Sequence, residues 1–301
     1  MERGNFEIIV PPAEIRPFVR RYLYANRALQ DGLTIHAKPT GYSYLSSFFG
    51  RHSPDYGIID GRRFERKTRW FLFGRMVDHQ VTFHHAESLE LLVCELTATA
   101  HQRLFGISGE RIVGMASAFD EAAPHRLELA RACFKLDANA SRDDHVAEGN
   151  SFFSRLSESA LPGDPAVERA VALIEAADGA IRISDICREI GIGERQLNRK
   201  FKSIVGLSPK YFARILQINW VVGLLYAEDK STLTEIAHEA GFYDQAHFNR
   251  SVQHFLREGP RDFLRSDHPA LRSFLAGSRR FGPNALRTGA AARSRPNARR
   301  C

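Results

Sequence analysis

Four long polar side chains share one face of a helix predicted after Gly191. Arg195, Asn198, Arg199 and Lys202 are spaced i, i+3, i+4 and i+7, so a helix aligns them opposite an apolar stripe. Arg suits guanine edges and phosphates, and Asn suits adenine edges. For one isolated helix, a solvated face would be the preferred interpretation.

The same arrangement occurs again about 50 residues later in the chain. The second polar face consists of Gln245, Asn249 and Arg250, with His247 beside it. The offset between the two copies is 50 residues from Gly191 to Gly241 and 51 residues from Leu197 to Phe248, so the second turn contains one inserted residue. Because both copies keep a polar face, we favour a nucleic-acid interface over a solvated surface.

Each copy predicts two short helices that pack across a tight turn. In the first copy, Ile186 and Ile190 precede Gly191, and Leu197 and Phe201 follow it at helical spacing. This pattern is typical of a helix-turn-helix unit. Between the copies, residues 209–227 predict a linker helix of about 28 Å, and successive major grooves lie about 34 Å apart. Such a linker would place two recognition helices in adjacent grooves.

The net charge of +7 comes from the end of the chain. Residues 266–301 contain 8 basic residues and 1 acidic residue, so we expect a disordered basic tail. Residues 165–265 contain 14 basic and 13 acidic residues. The net charge of this region is therefore close to zero. The prediction of nucleic-acid binding depends on where the charged residues lie on the polar faces and not on their sum.

The first part of the chain, residues 1–160, predicts a β-rich domain with a helical end. Six apolar runs bounded by turn residues predict strands at 6–10, 33–36, 42–49, 70–73, 80–83 and 89–96. We expect a barrel or sandwich, interrupted by an early helix at Ala13–Tyr24 and a later one at Thr97–Phe105. Asp164 and Pro165 predict the N-cap and first residue of a helix, which places a domain boundary before residue 165.

An enzyme or a metal site receives little support from the sequence. The histidines and carboxylate that could form a metal site are His79, His84, His85, Glu87 and His101. Because His84 and His85 are adjacent, one strand would direct them to opposite faces, and a structural role is favoured. No nucleophile elbow, P-loop or G-x-G-x-x-G motif occurs. We expect no catalytic residue, no cofactor and no metal.

The aromatic residues of the first domain either line a small-molecule pocket or fill an ordinary core. They are Tyr42, Tyr44, Phe48, Phe49, Trp70, Phe71 and Phe73. The four cysteines form no C-x-x-C pair, which favours a reducing cytoplasm. No apolar stretch approaches the length of a membrane-spanning helix, and the N-terminal apolar run is too short for a signal peptide, so export and membrane insertion are not expected.

Residues 165–265 resemble the DNA-binding domain of the AraC/XylS family of transcription regulators. The matching motifs are I-C-x-x-I-G, L-x-R-x-F and G-L-S-P-x-x-Y over 186–211, and I-A-x-x-x-G-F-x-D-x-x-x-F-x-R over 236–250. The resemblance implies promoter DNA as the partner and an N-terminal cupin-like domain that senses a small molecule or dimerises. It also implies contact with RNA polymerase, as in an activator. The base- and phosphate-contacting positions would be Arg195, Asn198, Arg199, Gln245, His247, Asn249 and Arg250.

The sequence departs from the family pattern at both units. Gly193 occupies the position of the usual Ser or Thr N-cap, and Arg257 and Glu258 replace the usual residues before Pro260. The overall hypothesis is an α+β chain in which a β-rich domain precedes an all-α double helix-turn-helix domain that binds double-stranded DNA. The alternatives are a metal-binding β-barrel enzyme and a protein-interaction module, each with an attached helical domain.

Overall fold

A computed structural model describes residues 6–50, 54–65, 68–77, 79–226 and 232–265. The basic tail expected at 266–301 and residue 227, the last of the predicted linker helix, lie outside these ranges. None of the helices in the described ranges is long and apolar enough to cross a membrane.

The N-terminal part of the chain forms two antiparallel sheets. The strands are β1 (Glu7–Ile9), β2 (Val19–Ala28), β3 (Leu33–Ala37), β4 (Tyr44–Phe48), β5 (Tyr56–Ile59), β6 (Arg62–Phe64), β7 (Trp70–Phe73), β8 (Val81–His85), β9 (Ser88–Leu96) and β10 (Ala116–Ala118). One sheet has the order β1-β2-β9-β4-β7-β10, and the other has the order β3-β8-β5-β6. The β-rich fold class predicted from the sequence is confirmed, and each of the six predicted strands is present.

The early helix predicted at Ala13–Tyr24 is wrong. Only a short 3-10 helix, Ala13–Ile15, occurs there, and β2 follows it. Strand β2 lies between β1 and β9 and pairs with β9 from Val19 to Ala28, with a register shift after Val19. The apolar residues Ile15, Phe18, Val19 and Tyr22 happen to have helical spacing, but pairing with two distant strands overrides this local pattern.

Helices cover the outer face of the six-stranded sheet. They are α1 (Ala100–Phe105), α2 (Gly109–Ile112), α3 (Phe119–Ala122), α4 (Leu127–Cys133) and α5 (Arg142–Ser157), together with a 3-10 helix at Pro124–Arg126. Phe105, Phe119, Phe152 and Phe153 of these helices are fully buried against strand residues such as Leu92. The helical end predicted for the first domain is therefore present.

In the described residues of the C-terminal part, 165–226 and 232–265, the chain forms seven helices. They are α6 (Pro165–Ala176), α7 (Ile183–Ile190), α8 (Glu194–Val205), α9 (Pro209–Leu225), α10 (Leu233–Glu239), α11 (Gln245–Leu256) and α12 (Pro260–Arg265). Asp164 is the N-cap of α6 and accepts hydrogen bonds from the amides of Ala166 and Val167, as the sequence predicts. The central helix α9 buries Phe212, Ile215, Ile218, Val221 and Val222. The two helical pairs α7–α8 and α10–α11 pack on either side of this core.

Candidate nucleic-acid interface

The first helix-turn-helix unit presents three cations to solvent. Helix α7 ends at Gly191, whose φ of 78° permits the sharp turn into α8. Leu197 and Phe201 of α8 are fully buried, so Arg195, Arg199 and Lys202 lie on the exposed side of the helix. Each of the three can extend toward an anionic partner.

Asn198 and Lys200 complete the description of α8. Asn198 is half-buried, and its Nδ2 donates to the carbonyl of Glu194 at 3.1 Å. Lys200, which the sequence did not assign to the interface, donates to the Asp164 carboxylate. Lys200 therefore fixes α8 to the start of α6, while Asn198 stays on the same face as the exposed cations.

The second unit is held by side-chain caps. Thr232 and Glu235 form a capping box at the start of α10. Asp244 is the N-cap of α11, and its carboxylate accepts from the amide of His247 at 2.6 Å. Phe248 and Val252 are fully buried, which leaves Asn249 and Arg250 exposed on the opposite side.

The polar face of α11 has an internal hydrogen bond. Gln245 is half-buried, and its Nε2 donates to Oδ1 of Asn249 at 3.3 Å. These two side chains and Arg250 line a surface cleft that α12 closes with Arg261 and Asp262. Arg261 was not predicted as a site residue from the sequence, because it lies beyond the second recognition helix and only the packing of α12 on α11 brings it to this cleft.

His247 differs from its neighbours on α11. The ring is half-buried and packs edge-on against Phe242, with 5.4 Å between ring centroids. Burial lowers the pKa of His247, and the positive charges of Arg214, Arg250 and Lys210 outweigh the opposite effect of Asp244. These surroundings therefore favour the neutral form of the imidazole.

Helix α9 holds the two units together. It spans 17 residues, which corresponds to about 25 Å. Phe212 near its start packs against Phe201 of α8, with 5.7 Å between ring centroids. Gln217 is buried, and its Nε2 donates to the carbonyl of Ala240 at the end of α10 at 2.6 Å. Both units are thus fixed to one helix.

An apolar cavity lies between the two sheets of the N-terminal part. Its lining includes Ile35, Tyr44, Phe48, Phe73, Val81, Phe83, Leu91 and Val93. Of the seven aromatic residues considered from the sequence, Tyr42, Tyr44, Phe48 and Phe73 line this cavity. Phe49 and Trp70 belong to the core beneath the helices, and Phe71 packs between the sheets.

One end of the cavity is a loop that also contacts the helical domain. Lys38 and Thr40 line the cavity. The Lys38 ammonium donates to the carbonyl of Leu256, at the end of α11, at 2.8 Å and lies 3.3 Å from the Glu258 carboxylate. The carbonyl of Thr40 accepts from Nδ2 of Asn219 in α9 at 3.0 Å. The same short segment therefore connects the cavity to both α9 and the second unit.

A buried charged cluster joins β2, β9 and the segment before β4 to α6. The Glu95 carboxylate is fully buried and pairs with Arg20 and Arg21. Burial alone would raise the pKa of Glu95, but the two guanidinium groups hold it below its ordinary value. Arg20 lies 3.8 Å over the Tyr42 ring, and the Tyr42 hydroxyl donates to Glu175 of α6 at 2.6 Å.

The N-terminal part also contacts the first recognition helix directly. Gly109 of α2 lies against the last turn of α8, at Lys202 and Gly206. Next to this contact, Thr99 donates to Glu168 of α6 at 2.7 Å, and Arg103 lies 3.6 Å from the same carboxylate. The first unit is therefore packed closely against the β-rich domain.

The histidines considered as metal ligands lie apart. His79 pairs with Asp60 at 2.6 Å, and the His84 ring stacks on Tyr56 with centroids 4.4 Å apart. His85 lines the cavity, while His101 is fully buried in α1. Across the described ranges, no three His, Cys, Asp or Glu residues are grouped as a metal site would require.

Comparison with known proteins identifies the helical domain. A family model described as a helix-turn-helix domain matches residues 186–266. Two uncharacterised HTH-type transcriptional regulators of Staphylococcus aureus, from strains MSSA476 and MRSA252, are each 29% identical over 92 residues. The match covers 30% of this chain and only 12% of each relative.

Solved structures of ToxT from Vibrio cholerae are also similar to this chain. One is 12% identical with a TM-score of 0.46, and the match covers 86% of this chain and 98% of ToxT. Another, ToxT with a bound unsaturated fatty acid, is 13% identical with a TM-score of 0.44 and covers 81% and 94% of the two chains. Over residues 186–266, the chain therefore carries a helix-turn-helix domain.

Proposed function

We propose that this protein is a sequence-specific transcription regulator that binds double-stranded promoter DNA. The observation that carries the proposal is the pair of helices α8 and α11, each with a buried apolar side and an outward polar side. Arg195, Arg199 and Arg250 supply donors for guanine edges and phosphates, and Asn198 and Asn249 supply the amides that suit adenine. Each helix follows a tight turn, as recognition helices of this motif do.

The length of α9 supports simultaneous binding by both units. Its span of about 25 Å, together with the width of the helices packed at its two ends, matches the separation of about 34 Å between successive major grooves on one face of DNA. Because Phe212 and Gln217 fix the units to α9, the two polar faces keep one relative orientation. A fixed spacing would restrict binding to sites with two contacted segments about one helical turn apart.

The test is selection of binding sites from a random DNA library with the full chain. Arg199→Ala and Arg250→Ala are then measured on the selected site, with Arg131→Ala of the exposed α4 surface as the matched control. We expect each of the first two variants to weaken binding by about 1–3 kcal/mol and to relax the base preference at one position. Enrichment of no sequence, or equal affinity for all sequences, would refute the proposal.

Removal of residues 266–301 separates the tail from the recognition helices. The tail carries net +7, so its loss should reduce the non-specific, salt-dependent part of the affinity. The selected sequence should stay the same. If the truncated chain lost its sequence preference as well, the tail rather than α8 and α11 would carry recognition, and the helical units would fit a protein-interaction module instead.

We also propose that an apolar small molecule in the cavity between the sheets modulates DNA binding. The lining is almost wholly apolar, whereas Lys38 offers a cation at the end nearest the helical domain. An apolar molecule with an anionic group would compete with the Leu256 carbonyl for Lys38. Occupancy of the cavity would thereby change a contact made by the end of α11.

A thermal-shift screen of apolar acids against their neutral amides tests the effector proposal. We expect an acid to raise Tm and change DNA affinity, and the matching amide to do less. Val93→Trp, which adds bulk to the lining, should remove the response while DNA binding without the acid remains. A response that is identical in wild type and Val93→Trp would place the effector elsewhere.

Self-association and contact with RNA polymerase are further parts of this proposal. They are tested by sedimentation of the full chain with and without its selected site, and by transcription from a template that carries this site. A regulator of this kind would act in the cytoplasm, where promoter DNA is found in bacteria. The proposed role involves no catalytic step, and its chemistry is reversible hydrogen bonding and ion pairing.

A further inference from the structure

The two helix-turn-helix units differ by one residue in their turns. In the first unit, Ile192 alone separates Gly191 from Gly193, the N-cap of α8. In the second unit, Phe242 and Tyr243 separate Gly241 from Asp244, the N-cap of α11. The inserted residue is therefore one of these two aromatics.

Backbone hydrogen bonds identify which of the two is inserted. The amide of Ile192 donates to the carbonyl of Cys187 at 3.2 Å, and the amide of Phe242 donates to the equivalent carbonyl, that of Ala237, at 2.9 Å. The side chains also correspond, because Ile192 packs against the core and Phe242 is buried in it. Tyr243 is thus the additional residue.

Tyr243 is the most exposed large apolar side chain among the described residues, at 94%. An aromatic ring stabilises a folded protein mainly through the apolar surface that it buries. Because Tyr243 buries almost none of its surface, it contributes little to the stability of the fold. It lies immediately before the N-cap of α11, at the end of the helix from which recognition helices approach DNA.

Three cations lie on the helices next to this turn, which also contains the Asp244 carboxylate. The Arg214 guanidinium lies 5.3 Å from the centroid of Phe242, the neighbour of Tyr243. Lys210 is exposed at the start of α9, next to Tyr211, whose ring packs against Phe255 of α11 with 5.4 Å between ring centroids. Arg250 is exposed on α11 itself. An exposed phenolic hydroxyl on a turn with cations on the neighbouring helices is suited to a phosphate oxygen, to which tyrosine and lysine side chains both bind in protein–DNA complexes.

We propose that Tyr243, together with Lys210, binds the DNA backbone at the start of the second recognition helix. The Tyr243 hydroxyl donates a hydrogen bond to a phosphate oxygen, and the Lys210 ammonium pairs with a phosphate of the same strand segment. Phosphate contacts fix the position of a protein on DNA without reading sequence. The inserted residue therefore gives the second unit an anchor that the first unit lacks. This inference rests on the proposed DNA binding.

Fluorescence anisotropy of the full chain on its selected site provides the test. We expect Tyr243→Phe to weaken binding about 3- to 10-fold, as loss of one hydrogen bond would, and Tyr243→Ala to weaken it at least as much. Lys210→Ala should lower the slope of log affinity against log salt by about 1. Tyr56→Phe and Lys135→Ala make the same chemical changes in the β-rich domain and should leave binding unchanged.

The outcomes separate this inference from the proposed function. If wild type binds selectively but both Tyr243 variants bind as wild type does, the phosphate contact is refuted and the proposed function stands. If Tyr243→Phe changes the preferred sequence, the hydroxyl contacts a base, and the backbone assignment is overturned. If wild type shows no selective binding, and Arg131→Ala and the Tyr243 variants have the same DNA affinity as wild type, the proposed function itself fails.

Discussion

Substitution of Gly109 by alanine should loosen the contact between the β-rich domain and the first recognition helix. A Cβ atom at Gly109 would lie 2.3 Å from the Gly206 nitrogen and 2.5 Å from the Lys202 carbonyl oxygen. Both partners are backbone atoms, so neither can rotate away, and α2 and α8 must separate by about 1 Å to restore an ordinary contact. Gly109 itself does not have a positive φ, so alanine fits its local conformation.

The expected cost is that of overpacking at a closely fitted contact, about 1–3 kcal/mol. For a chain of this size, this predicts a fall in Tm of roughly 2–10 °C. Hydrogen exchange should become faster in the last turn of α8, where the Gly206 amide bonds to Lys202, and should stay unchanged in α11. Because α8 also carries Lys202, DNA affinity should respond to this variant.

The matched control is Glu110→Ala, which changes the next residue of the same short helix at an exposed position. We expect wild-type Tm and wild-type exchange in α8 for this variant. If Gly109→Ala and Glu110→Ala gave the same Tm and the same exchange in α8, the contact between α2 and α8 would not constrain the recognition helix. The structural basis for coupling the two domains at this point would then be lost.

Three further predictions concern stability. Arg257 ends α11 with a φ of 64°, a conformation that costs a non-glycine residue about 1 kcal/mol, so Arg257→Gly should raise the free energy of unfolding by about that amount in urea titrations. Burial lowers the pKa of His85 to about 4 in the folded protein. The neutral imidazole therefore contributes its full stabilisation above the pKa that it has in the unfolded chain, and this contribution is lost as the pH falls from that value toward 4. Wild type should therefore lose about 2 kcal/mol more than His85→Gln between pH 7 and pH 5, and equal losses would contradict the argument. Glu95→Gln leaves Arg20 and Arg21 without a buried carboxylate and should cost about 3–5 kcal/mol by the same urea titration, whereas a cost below 1 kcal/mol would show that the cluster is dispensable.

The sequence predicted the helix-turn-helix units well because their signals are local. Gly191 and Gly241 occupy the left-handed conformations that the turns require, and Asp164 caps its helix as predicted. The polar faces of α8 and α11 follow from helical periodicity and buried Leu197, Phe201, Phe248 and Val252. Whether the individual polar side chains read bases stays a prediction, to be decided by the binding experiments.

The β-rich domain shows where sequence reasoning reached its limit. Strand β2 has the apolar spacing of a helix, and it became a strand because β1 and β9 pair with both of its edges. Arg21 is buried inside the domain because Glu95, 74 residues away in the sequence, neutralises its charge. No local sequence pattern indicates this pairing. Strands β2, β5, β6 and β10 were not predicted. Strand β2 pairs with β9 and β10 pairs with β7, both distant in sequence, whereas β5 and β6 form a short hairpin with each other.

The sequence by itself determined the repeated units, their turns and their polar faces, since these depend on residues within one or two helical turns of each other. Only the tertiary structure decided which inserted aromatic is exposed, that Lys38 connects the cavity to α11, and that Gly109 lies against the first recognition helix. Such contacts join residues far apart in the chain, and their geometry follows from how whole elements pack. The physical coupling between the two domains is therefore a property of the fold, whereas the chemistry of the recognition helices is already present in the sequence.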